Sequence, residues 1–369
     1  MQQKFMSVRT KMYYFTNAYP YGMSMLWKQY ELETFRKYWD EITVIPFGYW
    51  SNTQPQNKVE GVHYMEPLFP DQQYISLRRK LLAIIFSPYV FLFIKELFSR
   101  PVLTSRHHFI NWILDSYTAL SLSRHPVIKN LLKSSDENTV WYFYWGRNAS
   151  LVIPLLKKRK FFVCCRFHGY DLYAERNKGY ITYQHAQVAY SDLLLPCSAH
   201  GASYLGAKYP GAAAKIYTAR LGARYYRRIE AKDDGVLKLV SCATVRPVKR
   251  LHILAQALKF VRSKVSWVHV GGGGTHLEEL KKIAAGIQRE NISVFFKGSL
   301  PSRDIIPYYV EHNFDLFINV SESEGVPVSV MEAFSAGMPV FATDVGGTGE
   351  IVDDTVGKLL PKDLSPELL

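Results

Sequence analysis

The sequence predicts an α/β protein of two parallel-sheet domains, each wound from alternating strands and helices. Three observations predict it. Short apolar runs alternate with helical stretches from Lys11 onward, which favours parallel strands joined by crossover helices. The same alternation restarts at Leu237, after a charged stretch ending on Gly235. At 369 residues, with 48% apolar and 21% charged content, the chain is long enough for two ordinary domains with a core in each.

In chain order, residues 11–17 read as an aromatic strand, Tyr19-Pro-Tyr-Gly22 as a turn, residues 25–38 as a helix and residues 42–47 as a second strand. Gly22 at the tip of the first strand lets backbone approach a ligand closely. Residues 140–145 form a strand leading to Gly146. Residues 160–166 form the next, which runs directly onto Phe167-His168-Gly169-Tyr170-Asp171. Ligands of open α/β sheets bind beyond the carboxyl ends of strands, so His168 stands where chemistry is expected, although a histidine there also serves as a structural residue. Residues 192–198 are a further strand and residues 217–222 close the first domain, 1–222. Residues 223–235, rich in Arg, Lys and Asp, read as the linker to a second domain, 236–369.

That domain repeats the pattern: strand 237–242, helix 251–261, strand 265–270, the run Gly271-Gly-Gly-Gly274, helix 277–288, strand 292–296 with Gly298, helix 304–312 and strand 316–320. The glycine run lacks the spacing of a dinucleotide fingerprint and reads as a tight strand-to-helix turn.

Charge is unevenly spread. Residues 1–235 hold 31 Lys and Arg against 17 Asp and Glu, or +14; residues 236–369 hold 14 against 15, or −1, giving the overall +13. A basic first half favours an anionic surface or substrate. No zinc-finger spacing, RNP-like aromatic motif or heptad zipper supports nucleic acid, so an anionic membrane surface is the better expectation. Leu77-Arg-Arg-Lys80 precedes an apolar stretch, 81–94, that is interrupted by Pro88 and falls short of the roughly 20 residues that span a bilayer. It reads either as a core helix or as a membrane-facing interfacial one. No signal peptide is visible in residues 1–9. The cysteines Cys164, Cys165, Cys197 and Cys242 lack metal-ligand spacing and are expected to be reduced and largely buried, as in a cytoplasmic protein.

The most informative stretch is Glu324-Gly-Val-Pro-Val-Ser-Val-Met-Glu332. Pro327 is tolerated only in the first helical turn, so a helix is expected to begin there, with Glu324 and Gly325 in the preceding loop and Glu332 inside it. A loop carboxylate, a glycine and a helix N-terminus then converge on one spot, suited to a phosphorylated ligand whose hydroxyls are held by carboxylates.

Glu324 and Glu332, followed by Gly337-Met-Pro-Val-Phe-Ala-Thr-Asp-Val-Gly-Gly347, resemble the donor-site signature of retaining glycosyltransferase family 4. Its members have two Rossmann-like domains facing across a cleft, the GT-B arrangement. His168-Gly169-Tyr170-Asp171 resembles the family's HGxD element, and Lys249, in Thr244-Val-Arg-Pro-Val-Lys249-Arg250, resembles its phosphate-binding lysine. The resemblance implies that Glu324 holds the transferred sugar, Glu332 the ribose and Lys249 a phosphate. It also implies that His168 contacts the sugar, that Asp171 orients its loop, and that Phe296, Lys297 and Gly298 line the base. The N–H groups of Gly325 and Val326 would join Lys249 in stabilising the leaving diphosphate without a metal or cofactor. Gly346, Gly347, Thr348 and Glu350 would shape the pocket wall, and Gly22 would lie in the acceptor-side cleft. Thr244 departs from the pattern, since the family usually has an arginine there; Arg246 or Arg250 is expected to compensate.

The activity implied is transfer of a sugar from a nucleotide-sugar donor, a UDP- or GDP-sugar, to a glycan or lipid-linked acceptor in surface polysaccharide biosynthesis, in the cytoplasm or peripherally at the inner membrane face. A catalytically silent binding or scaffold protein of the same fold is the alternative. Relatives continue into C-terminal crossover helices, whereas Ser365-Pro-Glu-Leu-Leu369 resembles only the start of one, so the second domain is expected to be incomplete.

Overall fold

A computed structural model describes residues 10–21, 26–49, 54–55, 57–70, 75–156, 159–226 and 234–369. The chain divides into two compact units, Met1–Cys197 with Gly201–Ala219, and Ser198–His200 with Arg220–Leu369. Gly22, expected at the cleft, and residues 227–233 of the expected linker lie outside the described residues.

The first unit is a six-stranded parallel sheet of order β3-β2-β1-β4-β5-β6. Its strands are β1 (Lys11–Thr16), β2 (Glu41–Pro46), β3 (His63–Tyr64), β4 (Thr139–Phe143), β5 (Phe162–Phe167) and β6 (Leu193–Pro196). β1 and β4, side by side, are buried almost throughout, as expected for strands covered on both faces. Phe15 stacks on Phe143 at 4.6 Å and Trp141 on Phe161 at 4.7 Å, so aromatic residues fill this core.

Helix α1 (Leu26–Phe35) is shorter than the 25–38 expected. Past Phe35 the chain tightens into three-residue turns, Lys37 N–H donating to Thr34 O at 3.1 Å and Tyr38 N–H to Phe35 O at 2.9 Å. The apolar stretch before residue 100 is two helices rather than one, α2 (Leu77–Ile85) and α3 (Val90–Ser99), broken at Ser87-Pro88. Helices α4 (Arg106–Arg124), α5 (Pro126–Ser134), α6 (Gln184–Tyr190) and α7 (Ala199–Lys208) complete the covering layers. All four cysteines are free; Cys164, Cys165 and Cys197 are buried.

The second unit has the order β12-β11-β10-β7-β8-β9, also all parallel. These strands are β7 (Leu237–Cys242), β8 (Val265–Val270), β9 (Ile292–Gly298), β10 (Leu316–Asn319), β11 (Val340–Thr343) and β12 (Gly357–Leu360). Helices α8 (Leu251–Ala257), α9 (Leu277–Ala285), α10 (Ser302–His312) and α11 (Val328–Ser335) flank it. Alternation along β7 sends Leu239 into one apolar cluster with Trp267 and Leu254, and Val240 into another with Phe317 and Val330.

Both units share the doubly wound order, in which the chain reverses direction beside its first strand. Loops leaving the two strands at that reversal diverge to opposite faces and open a crevice. In the second unit those strands are β7 and β10, paired at Leu239 with Leu316 and Val240 with Phe317.

Candidate functional site

The loop after β7 carries Lys249 and the loop after β10 carries Glu324. Their side chains meet across the reversal, Lys249 Nζ donating to Glu324 Oε1 at 2.6 Å. Asn319, the last residue of β10, donates its amide to the same oxygen at 3.3 Å and accepts the Ser321 N–H on its own carbonyl at 3.0 Å. Burial alone would raise the Glu324 carboxyl. The Lys249 charge outweighs it, with hydrogen bonds from Lys249, Ser321 and Asn319, and holds Glu324 below the usual carboxylate range. Glu324 is therefore an ionised, buried carboxylate, 8% exposed.

Helix α11 starts immediately after Pro327, whose fixed φ presets the first turn. Gly325 and Val326 precede it; the Val330 N–H donates to Pro327 O at 3.1 Å, which leaves the N–H groups of Val328 and Ser329 without an acceptor within the helix. Glu332 follows on the same helix, 7% exposed. Among the described residues no hydrogen bond or ion pair reaches its carboxyl. Burial pushes it up to about 8, so in the free protein it is mostly protonated at neutral pH. A buried carboxyl without partners, eight residues after an ionised one that has several, is suited to a ligand that brings hydroxyl donors.

Two glycine pairs shape these loops. Gly346 has φ +59°, and a Cβ there would lie 2.0 Å from Glu324 O. Gly347 donates its N–H to Gly325 O at 2.6 Å, so this turn braces the loop that holds Glu324. Gly271 and Gly274 play the same part for the other loop: a Cβ on either would lie 2.0 Å from Ala243 O or Val245 O. The glycine run is thus more than a strand-to-helix turn, and the sequence signal was present in the run itself.

The other expected residues divide. Gly298 has φ +78° and open space around it, and its carbonyl accepts the Gly271 N–H at 2.8 Å. Phe296 packs edge-on to Trp267 and His269, while Lys297 Nζ lies 5.2 Å from the Tyr308 ring. Arg250 is committed to the framework, donating to Val320 O at 2.8 Å, Ser321 O at 3.3 Å and Lys362 O at 2.9 Å. It is therefore a strut for the β10 loop, which argues against its substituting for the arginine that Thr244 replaces. Arg246 is exposed and lines a cavity of about 280 Å³ with Leu251, His252, His276 and Glu279. Glu350 accepts the N–H groups of Ala199 and His200, both at 2.8 Å, and Arg220 at 2.9 Å, and so anchors the start of α7.

In the first unit, β5 delivers His168 as expected. Asp171, fully buried, accepts the His168 N–H and the Gly146 N–H, both at 2.7 Å, and clamps the ends of β5 and β4 together. The His168 ring lies against Trp145 at 4.1 Å and Tyr144 at 4.9 Å. Its Nδ1 is 3.8 Å from Asp171 Oδ2, too long for a hydrogen bond, and neither ring nitrogen has a partner among the described residues. Burial holds the imidazole below its usual value, against the weaker pull of Asp171, so His168 is neutral.

Beside it lies a polar cluster that sequence reasoning missed. Lys28, fully buried on α1, sits 4.7 Å from the Tyr144 ring centroid, and burial pushes it down to about 7. One turn on, Glu31 accepts Tyr14 Oη at 2.9 Å, Tyr142 Oη at 2.7 Å and the Arg166 guanidinium. Nothing in a single sequence marks Lys28 as buried or Glu31 as the acceptor that gathers this cluster. Among the described residues no group of three or more His, Cys, Asp or Glu is arranged to hold a metal.

Among solved structures, the chain is similar to Anabaena HepE in complex with UDP, with TM-score 0.64 and 16% identity over 97% of this chain and 88% of that one. It is also similar to the apo form of the lipopolysaccharide outer core galactosyltransferase WaaB, with TM-score 0.63 and 14% identity over 96% and 87%. At such identities the likeness speaks to fold, and the fold is GT-B, two Rossmann-like α/β domains. In sequence, 86 residues are 40% identical to the O-antigen biosynthesis glycosyltransferase WbnH of Escherichia coli, covering 23% of each chain. A further 208-residue match, 27% identical, is to the putative colanic acid biosynthesis glycosyltransferase WcaL of Escherichia coli K12, covering 53% of this chain and 51% of that one. The matches thus span from about a quarter to about half of these curated relatives. Residues 224–369, which carry Lys249, Glu324 and Glu332, match the family of glycosyl transferases group 1.

Proposed function

We propose that this chain is a glycosyltransferase of retaining family 4, moving a hexose-type sugar from a nucleotide-sugar donor to a glycan or lipid-linked acceptor during surface polysaccharide synthesis. The observation that carries it is the pair of carboxyls at the crevice of the second unit: Glu324 ionised by Lys249, and Glu332 buried without a partner. A nucleotide sugar supplies what each lacks. The ribose diol can donate two hydrogen bonds to Glu332, and a sugar hydroxyl can donate to the free lone pairs of Glu324.

The leaving group is a nucleoside diphosphate, and its growing negative charge needs fixed donors. Lys249 spends one of its three N–H donors on Glu324 and keeps the others for phosphate oxygen. The N–H groups of Gly325, Val326 and the first turn of α11 add a preorganised positive field. We read the transfer as metal-independent on the strength of this donor set, and as retaining by family resemblance. For His168 we assign a role in the transfer step, its neutral ring nitrogens being suited to hydrogen-bond a sugar hydroxyl. The UDP of the HepE complexes supports a UDP-sugar, with a GDP-sugar as the other choice. The O-antigen and colanic acid roles named for WbnH and WcaL support surface polysaccharide as the product. The four free cysteines support a cytoplasmic site of action.

A second reading rests on Thr244 and Arg250. With threonine at the usual arginine position and Arg250 bound to three carbonyls, Lys249 is left as the cation of the crevice, as in a protein that binds donor without turning it over. Thermal-shift titration with UDP-, GDP-, ADP- and CDP-sugars, repeated on Glu332→Ala and Lys249→Ala, tests the donor site. A shift with one nucleotide that both variants abolish is expected, and no shift with any would overturn it. Donor hydrolysis without acceptor then separates enzyme from silent binder, and loss of turnover with retained binding in His168→Ala is expected.

A further inference from the structure

We propose that α2, the turn at Phe86 and α3 form a docking surface for a bilayer containing anionic lipid, and that the chain lies on that surface without spanning it. The inference is independent of the donor site. Among the described residues, nineteen large apolar side chains are exposed, and eight of them fall between Leu77 and Leu103. Scattered exposed apolar residues are ordinary, but such a concentration marks an interaction surface.

The pattern within each helix rules out a misplaced core face. In α3, Phe93 is buried in the core and Leu92 and Leu97 pack against it, while Phe91, Ile94, Lys95 and Phe98 are exposed. Positions i, i+3, i+4 and i+7 lie on one face of a helix, so α3 is apolar on its outer stripe as well as its inner one. In α2, Ile84 is buried while Arg78, Leu82 and Ile85 are exposed. Ile84 and Phe93 belong to one core cluster, so the opposite stripes of both helices face away from it. Phe86, in the bend, and Phe91, at the start of α3, are 81% and 84% exposed. Neither helix alone is long and apolar enough to cross a membrane; together they have the length and composition, but the chain bends by 112° at the break between them, so they do not form one straight span.

Charge selects the occupant. Residues 77–106 contain six cations, Arg78, Arg79, Lys80, Lys95, Arg100 and Arg106, against one acid, Glu96. Glu96 is 2% exposed and turned inward, where it accepts the Tyr183 N–H at 2.8 Å and the Tyr180 hydroxyl. Every charge this segment exposes is therefore positive, around bare phenylalanine rings. Two like-charged copies meeting through this face would repel. A lipid surface offers acyl chains to the rings and phosphates to the cations at once.

Flotation of the purified chain with vesicles tests this, using phosphatidylcholine alone and phosphatidylcholine mixed with phosphatidylglycerol. Binding is expected to the mixed vesicles only, to weaken with salt, and to fall by more than about tenfold in the Phe86→Ser, Phe91→Ser, Phe98→Ser triple variant. The three rings are exposed, so the variant should keep its far-ultraviolet circular dichroism. The separate variant Arg78→Glu, Arg79→Glu should lose binding with the rings intact. Failure of the wild type to bind mixed vesicles, equal binding to neutral ones, or a triple variant that floats like the wild type would each overturn the proposal. So would a concentration-dependent dimer, seen by light scattering, that the triple variant abolishes.

Discussion

Replacing Glu332 with glutamine isolates the one ionisation on which the donor-site reading depends. In the folded protein the Glu332 carboxyl stands at about 8, against 4.5 for an exposed glutamate. The folded state thus holds this proton more tightly than the unfolded chain. Its stabilising effect is complete below pH 4.5 and is lost as pH rises through about 8. At about 1.4 kcal/mol per tenfold, the full change is on the order of 4 to 5 kcal/mol, large against the typical stability of a domain. Glutamine has the same shape and does not titrate. Scanning calorimetry from about pH 5 to about pH 9 should therefore show Glu332→Gln gaining on the wild type by roughly 4 kcal/mol.

Binding should run the other way. If Glu332 receives the ribose diol as a carboxylate, binding requires loss of that proton. The affinity of the wild type for a nucleotide sugar, whose diphosphate diester does not titrate in this range, should rise about tenfold per pH unit below 8 and level off above it. Glu332→Gln should bind without that slope, more weakly than the wild type above about pH 8, where a neutral acceptor forgoes the extra 1 kcal/mol or so of a charge-assisted bond, and more tightly well below it, where the wild type must first give up its proton. Isothermal titration calorimetry measures both. A flat profile in the wild type, or the same slope in the variant, would refute the assignment even if the stability prediction held.

Two other substitutions probe the frame around the site. Lys249→Met removes the charge that opposes burial of Glu324, whose depressed carboxyl stabilises the fold above its unfolded value and ceases to as pH falls through the folded one. A loss on the order of 1 to 2 kcal/mol at neutral pH is expected from chemical unfolding, discounted because the Lys249 side chain is 27% exposed, and an unchanged midpoint would count against the pair. Gly346→Ala places a Cβ 2.0 Å from Glu324 O at a positive φ, so a loss of about 2 kcal/mol or more and weaker donor binding are expected; wild-type affinity would show that this turn does not position Glu324.

Much of this site was legible in the sequence because it depends on local backbone rules. A proline that cannot sit inside a helix placed the start of α11 within a residue, and with it Glu324 outside and Glu332 inside. The resemblance of His168-Gly169-Tyr170-Asp171 to the HGxD element implies that Asp171 orients its loop, and it accepts two N–H groups there. What was not legible depends on partners distant in sequence. Arg250 looked like a phosphate ligand until its carbonyl acceptors at residues 320, 321 and 362 were known. Lys28 and Glu31 fall in a stretch whose pattern predicts only a helix, yet Lys28 is fully buried against Tyr144 and Glu31 gathers Tyr14, Tyr142 and Arg166. Periodicity also failed at residues 81–94, because a helix apolar on both faces looks the same in sequence whether one face is packed or both are.

The count of cations in the crevice leads to a last substitution. Among the described residues of the loop after β7, Lys249 is bound to Glu324, Arg250 to backbone, and Arg246 lines a cavity with Leu251 and His252, so the field this loop offers a diphosphate is one shared ammonium, joined by the N-terminus of α11, worth about half a charge. Donor binding that also ionises Glu332 adds a further negative charge to that field. Such a site should be short of positive charge, and Thr244 is exposed at the position where an arginine would supply it. Thr244→Arg is therefore expected to tighten nucleotide-sugar binding by about tenfold or more, the worth of one charge-assisted contact to phosphate, and to make it more sensitive to salt. Unchanged affinity would mean that the first-turn N–H groups and Lys249 already satisfy the phosphates, and that the missing arginine is no deficit in this protein.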